Sequence, residues 1–213
     1  MIHRFIPGVS PTLLLLHGTG GNEDDLIPLG KSIAPGASLL SPRGEVLERG
    51  MPRFFRRLAE GVFDEPDLIR RTADLADFIR SAAETHRFDE GAVVALGYSN
   101  GANIAASMLL LKPNVLSAAA LMHPMVPLTP ERLPRLAARR VIITAGDNDP
   151  VVPPDNTERL AAMLRRAGAT VEVHWAHAGH SIAPEEIDAV RKWALETIGA
   201  APEFNAPPSP APG

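Results

Sequence analysis

Short aliphatic or β-branched runs alternate along this chain with longer stretches in which apolar residues recur at helical spacing. Residues 12–16 and 37–41 read as strands. Between 67 and 83, Leu68, Leu75, Phe78, Ile79 and Ala82 share one face, with acids and arginines between them, which predicts an amphipathic helix. Residues 92–96 read as the next strand, and a small-residue helix over 100–111 is stopped by Lys112-Pro113. Residues 115–122 and 139–145 give two further strands, the second strongly β-branched at Val141-Ile142-Ile143-Thr144. A helix capped by Asp155 or Asn156 carries Leu160, Met163 and Leu164 and ends at Gly168, in the C′ role. Residues 170–175 alternate as a strand. The stretch 184–198 closes the pattern as a helix with proline in its first turn and Ile187, Val190, Ala194 and Ile198 on one face.

Strand–helix alternation with nearly continuous apolar strands predicts an α/β fold, a doubly wound, mostly parallel sheet with helices on both faces. Residues 1–199 are expected to form a single domain and 200–213 a proline-rich disordered tail. Residues 45–66 fit no clean period and read as an excursion over the sheet edge or the site mouth. Within them, Arg53-Phe54-Phe55-Arg56-Arg57 reads as a surface helix whose phenylalanines face inward.

Composition narrows the function classes. The chain has 213 residues, 45% apolar and 22% charged, enough for one domain with a substantial core. Formal net charge is −4, and no block of like charge marks a nucleic-acid footprint, so no nucleic-acid partner is expected. No apolar run approaches the ~18 residues that span a bilayer. Residues 12–16 lack the flank and cleavage site of a secretory signal. Cysteine is absent, which excludes disulfides, a thiolate nucleophile and a cysteine metal site. A cytoplasmic location fits this usage.

Gly97-Tyr98-Ser99-Asn100-Gly101 directly follows the run 92–96. This is G-x-S-x-G at a strand-to-helix junction, a nucleophile elbow that presents the serine Oγ at the top of a sheet. The flanking glycines let neighbouring backbone approach closely. Serine at neutral pH needs a base, and the base needs an orienting acid. In hydrolases of this kind the chain order is Ser, then Asp or Glu, then His. The strand ending at 145 runs into Gly146-Asp147-Asn148-Asp149-Pro150, and the strand ending at 175 into Ala176-His177-Ala178-Gly179-His180. Both loops lie at the carboxyl ends of strands, where such sheets place their chemistry. Asp147 and Asp149 compete for the acid, and His174, His177 and His180 for the base. His174 lies inside an alternating strand and reads as a packed or edge residue. These three histidines straddle a strand end and point different ways, so they build no metal site. No metal and no cofactor is expected.

Upstream, residues 13–16 run into His17-Gly18-Thr19-Gly20-Gly21-Asn22. Acyl transfer needs two backbone N–H groups aimed at the oxyanion, one after the nucleophile and one from an early glycine-rich loop. The N–H groups of Asn100 and Thr19 fill those places, each worth roughly 3 kcal/mol. A dinucleotide loop would need glycine where Glu23 stands, and the Gly-Lys-Ser/Thr of a P-loop is missing. His17 reads as a structural brace for the loop, and Glu23-Asp24-Asp25 as a solvated cluster at a helix start. Phe54, Phe55, Leu58 and Phe63, with Met125 and Val126, are candidate walls of an acyl pocket, with core packing the competing account.

Taken together, His17-Gly18-Thr19-Gly20-Gly21-Asn22, Gly97 to Asn103, Asp149-Pro150-Val151-Val152-Pro153 and Gly179-His180 resemble the phospholipase/carboxylesterase family of α/β-hydrolases. That family includes acyl-protein thioesterases and small bacterial carboxylesterases. Ser41-Pro42-Arg43-Gly44 and the segment 50–55 resemble its bacterial branch linked to hydroquinone-stress operons. The resemblance covers about residues 10–198. It picks His180 as base, from the Gly-His pattern, and Asp149 as acid, from the Asp before Pro-Val. Dienelactone hydrolases resemble the chain less, because their elbow carries cysteine where Ser99 stands. The resemblance implies a serine esterase without cofactor, acting on a small-molecule ester, and dimers are common in the family. With about 200 residues there is no room for a lid domain, so a shallow pocket taking short to medium acyl esters is expected. Thioesterase and lysophospholipase activities share the same triad, with 53–57 as head-group contact in the latter. A hydrolase-fold binding protein for a small aromatic is the non-enzyme alternative, and the complete set of candidate catalytic residues argues against it.

Overall fold

The computed structural model describes residues 1–199; the expected tail at 200–213 lies outside the described residues. The chain opens with β1 (His3–Ile6), β2 (Val9–Leu16), the short α1 (Ile27–Ile33) and β3 (Ala37–Pro42). Two small hairpins follow, β4 (Val46–Glu48) with β5 (Met51–Arg53) and β6 (Arg57–Ala59) with β7 (Val62–Phe63). Then come α2 (Glu65–His86), β8 (Val93–Tyr98), α3 (Asn100–Leu111), β9 (Ala118–Met122) and β10 (Arg140–Gly146). The last elements are α4 (Pro154–Arg166), β11 (Thr170–Ala176) and α5 (Pro184–Ile198). Seven strands form one sheet in the order β1-β3-β2-β8-β9-β10-β11, parallel throughout except for β1 against β3.

The central strands are buried on both faces, which is why they read as continuous apolar runs. Successive leucines of β2 face opposite layers because side chains alternate along a strand. Leu13 and Leu15 pack with Leu39, Leu96 and Trp193 under α1 and α5, whereas Leu14 and Leu16 pack with Phe55, Leu75 and Ile104 under α2, α3 and α4. Because the central strands run parallel, the loops at their carboxyl ends open on the same edge, with a helix start behind those of β2, β8 and β10.

Several expectations need correction. The excursion at 45–66 reaches the site mouth as two hairpins over 46–63, and 53–57 is not a surface helix but spans the turn between them. Phe54 and Phe55 do face inward, at 3% and 0% exposure. Helix α4 starts at Pro154, so Asp155 and Asn156 lie in its first turn; the Asn156 side chain instead accepts from the Val126 N–H at 2.7 Å. In the Glu23-Asp24-Asp25 cluster Glu23 is buried, paired with Arg43 beyond β3.

Candidate active site

Ser99 occupies the junction of β8 and α3 with φ 51° and ψ −113°, a strained conformation that points its Oγ out of the sheet. The turn depends on its glycines. A Cβ on Gly97 would lie 2.6 Å from the Gly101 carbonyl oxygen, and one on Gly101 would lie 1.9 Å from the Leu16 carbonyl oxygen. The Ser99 N–H donates to the Met122 carbonyl at 2.9 Å, tying the elbow to β9.

Two further loops converge on that hydroxyl. His180, beyond β11, places Nε2 at 2.9 Å from Ser99 Oγ and Nδ1 at 2.7 Å from Asp149 Oδ2. Asp149, beyond β10, is 8% exposed. Its Oδ1 accepts from the N–H groups of Val151 (2.8 Å) and Val152 (3.0 Å), so its orientation is fixed before either imidazole is counted. Burial alone would raise its pKa; hydrogen bonds from His180, His123 and the two backbone N–H groups overcome that and hold the carboxyl below its ordinary range. The competing candidates lie apart from Ser99. Asp147 pairs with exposed His177 at 3.0 Å, and His174 sits on β11, the outermost strand. Tyr98 donates its hydroxyl to the His180 carbonyl at 2.5 Å, which anchors the histidine loop to the elbow.

Thr19 and Asn100 both line the cavity beside Ser99, and neither backbone N–H donates to a protein acceptor among the described residues. The Gly20 N–H bonds to the Pro52 carbonyl at 2.9 Å and is not available. His17 fixes this loop: its Nε2 accepts from the Gly44 N–H at 3.0 Å, so Nδ1 carries the proton, 2.6 Å from the Gly18 carbonyl. Burial lowers the His17 pKa, in keeping with a neutral ring. From α3, the Asn100 side chain accepts from the Phe54 N–H and the Asn103 side chain from the Met125 N–H, each at 2.7 Å. These two amides pin the walls of the mouth to the elbow helix.

The cavity at Ser99 is small, about 40 Å³, and residues of the second hairpin form one of its sides. Of the six wall candidates, Phe63 and Met125 line it. Phe54, Phe55 and Val126 belong instead to the core beneath, and Leu58 is 69% exposed to solvent. The residues 53–57 form no free basic patch either. Arg53 is buried against Glu48 and donates to Thr19 Oγ1, Arg56 pairs with Asp64, and Arg57 pairs with Glu48.

Sequence reasoning missed His123 and Glu186. His123 follows β9 immediately, with φ 52°, and is 1% exposed. Its Nδ1 lies 2.9 Å from Asp149 Oδ2, and its Nε2 lies 3.1 and 3.2 Å from the two oxygens of Glu186, which is 0% exposed on the first turn of α5. The available signal was position: a histidine directly after an apolar strand sits on the edge that carries Ser99, Asp149 and His180. His123, Asp149 and His180 also bring ligand atoms within 4.8 Å of one another. A metal ion there would displace both hydrogen bonds to Asp149.

Known proteins resemble the chain over nearly its whole length. The model of the dienelactone hydrolase family matches residues 55–198, so serine in the elbow does not set the chain apart from that family. MhqD of Bacillus subtilis (strain 168), which carries a hydrolase name, is 53% identical over 199 residues, covering 93% of this chain and all of that protein. The Bacillus cereus carboxylesterase crystal structure superimposes with TM-score 0.90 at 49% identity, over 92% of this chain and 93% of that one. A Mesorhizobium loti carboxylesterase gives TM-score 0.82 at 34% identity, over 88% and 90% of the two chains. No helix among the described residues is long and apolar enough to cross a membrane.

Proposed function

Because the chain belongs to the dienelactone hydrolase family of α/β-hydrolases, we propose that it is a serine carboxylesterase acting on small esters of short to medium acyl chains. The observation that carries this reading is the unbroken line of contacts Ser99–His180–Asp149, at 2.9 and 2.7 Å, opening on a cavity also lined by Thr19 and Asn100. In this reading His180 takes the Ser99 proton as Oγ attacks the ester carbonyl. The oxyanion rests on the N–H groups of Thr19 and Asn100. His180 then gives its proton to the leaving alkoxide, the C–O bond breaks, and an acyl-serine remains. Water, deprotonated by His180, attacks the acyl carbonyl and releases the acid, returning the proton to Ser99. Asp149 holds Nδ1 protonated and stays ionised throughout. The small cavity supports short acyl groups. The family likeness and the carboxylesterase neighbours support oxygen esters, and a cytoplasmic homodimer of one catalytic domain over 1–199 completes the reading.

The test is a panel of p-nitrophenyl esters from acetate to palmitate beside matched acyl thioesters. The expected result is highest kcat/KM on the short-chain esters, falling as the acyl chain lengthens, with Ser99→Ala inactive on all. Higher kcat/KM on thioesters than on their oxygen counterparts would move the activity to thioester hydrolysis. Undiminished turnover by Ser99→Ala would end the proposal.

A further inference from the structure

We propose that His123 and Glu186 are positioning residues for the acyl transfer, a buried imidazolium–carboxylate pair that holds Asp149 against His180 and sets the pH range over which Ser99 is activated. The inference rests on the esterase reading above and deepens it at the same site.

The geometry places a carboxylate oxygen at each nitrogen of the His123 ring, the arrangement an imidazolium satisfies. Nδ1 faces Asp149 Oδ2 at 2.9 Å and Nε2 faces the Glu186 carboxylate at 3.1 Å. Ionised carboxylates only accept, so both ring nitrogens donate, and a ring with two N–H groups is a cation. Every packed element contributes to this environment. Tyr98 of β8 lies edge-on at 5.9 Å between ring centroids, His180 lies at 5.3 Å, and the His123 N–H donates to the Thr144 carbonyl of β10 at 2.8 Å. Asp149 and Glu186 supply the two negative charges. Burial disfavours the charged ring, but the hydrogen bonds to Glu186 and Asp149 prevail and raise the His123 pKa.

This arrangement does two things for the reaction. Oδ2 of Asp149 receives two imidazole N–H groups and Oδ1 two backbone N–H groups, so all four acceptor sites of the carboxylate are filled. The acid cannot rotate away from His180. The pair also places a positive charge behind the acid, with the two imidazole rings 5.3 Å apart between centroids. Two carboxylates and one imidazolium leave the cluster at −1, and it becomes neutral when His180 accepts the Ser99 proton. Glu186 is itself anchored, since its side chain accepts from the Ala183 N–H at 2.7 Å.

Glu186→Gln tests this with little change of shape. The amide oxygen retains the Ala183 N–H, and the amide N–H₂ donates to His123 Nε2, which loses its proton and becomes an acceptor. Both contacts persist while the two opposite charges of the pair leave together. The acidic limb of kcat/KM is expected to move about one pH unit higher, as unit charges at this spacing imply in an effective dielectric near 20, with less than a tenfold loss at the plateau. A profile that superimposes on the wild type overturns the proposal. The state of His123 is read separately, in wild-type protein without substrate, from imidazole ¹⁵N shifts assigned with His123→Asn, a residue that tolerates the positive φ. Both nitrogens protonated at pH 8 is the expected result, and a neutral ring overturns the proposal even if Glu186→Gln fails to fold. Absence of any Ser99-dependent esterase activity would instead defeat the functional reading and leave this measurement standing.

Discussion

Replacing Asp149 with asparagine should disable the base by forcing the wrong tautomer. The Val151 and Val152 N–H groups lie 2.8 and 3.0 Å from Oδ1, so the new side chain must keep its oxygen there. Its amide nitrogen then takes the Oδ2 position, 2.7 Å from His180 Nδ1. That nitrogen only donates, so Nδ1 must accept and the proton moves to Nε2, facing Ser99 Oγ. A ring protonated there cannot take the hydroxyl proton. The same replacement in a serine protease, the worked case for this effect, lowers kcat about 10⁴-fold, which is about 5.5 kcal/mol of barrier. The buried His123 cation also loses one of its two counter-charges, and breaking a buried pair costs about 3–5 kcal/mol of stability. Steady-state kinetics on p-nitrophenyl butyrate should show the loss in kcat with KM little changed, and urea denaturation should show the lowered midpoint. A kcat within tenfold of wild type in folded protein, or a loss confined to KM, would refute the tautomer argument.

Other consequences follow from the packing and charge. Gly101→Ala places a Cβ 1.9 Å from the Leu16 carbonyl oxygen; it should give insoluble protein or a melting temperature lowered by more than about 10 °C by thermal unfolding. Leu58→Ser, at an exposed position, should leave kcat/KM and stability unchanged within about 0.5 kcal/mol, whereas Phe63→Ala should alter the acyl-length profile of the ester panel. Stability should also decline on both sides of a pH maximum. Asp149 and Glu186 are held below the usual carboxylate range, so their contribution is present above about pH 4 and lost as pH falls through their lower folded values. The His123 pKa is raised, so its contribution is full below about pH 6.5 and lost as pH rises through its folded value. Denaturant titrations across pH should flatten in Glu186→Gln; curves that coincide with wild type would contradict this.

The sheet was legible because each central strand is buried on both faces and so writes itself as an apolar run beside a periodic helix. The loops carrying Ser99, Asp149 and His180 were legible for the same reason, since each directly follows such a run. Helix α1 left no usable period, having seven residues of which two are buried. The hairpins escaped because their strands are two or three residues long, and Phe54 and Phe55 resembled a helix face although they dip into the core from a turn. The strand end marked the place of His123, but the joint role of His123 and Glu186 was not legible, for a different reason. Their chemistry exists only as a pair with Asp149, joining β9, the β10–α4 loop and α5, and no local pattern records a contact 63 residues apart.

The central claim, that the hydroxyl at the elbow forms the covalent acyl intermediate, is tested most directly by mass spectrometry after brief reaction with a fluorophosphonate. One equivalent of adduct, on the peptide containing Ser99 and absent from Ser99→Ala, is the predicted result. Stoichiometric adduct on any other residue, or labelling that persists in Ser99→Ala, would contradict the account.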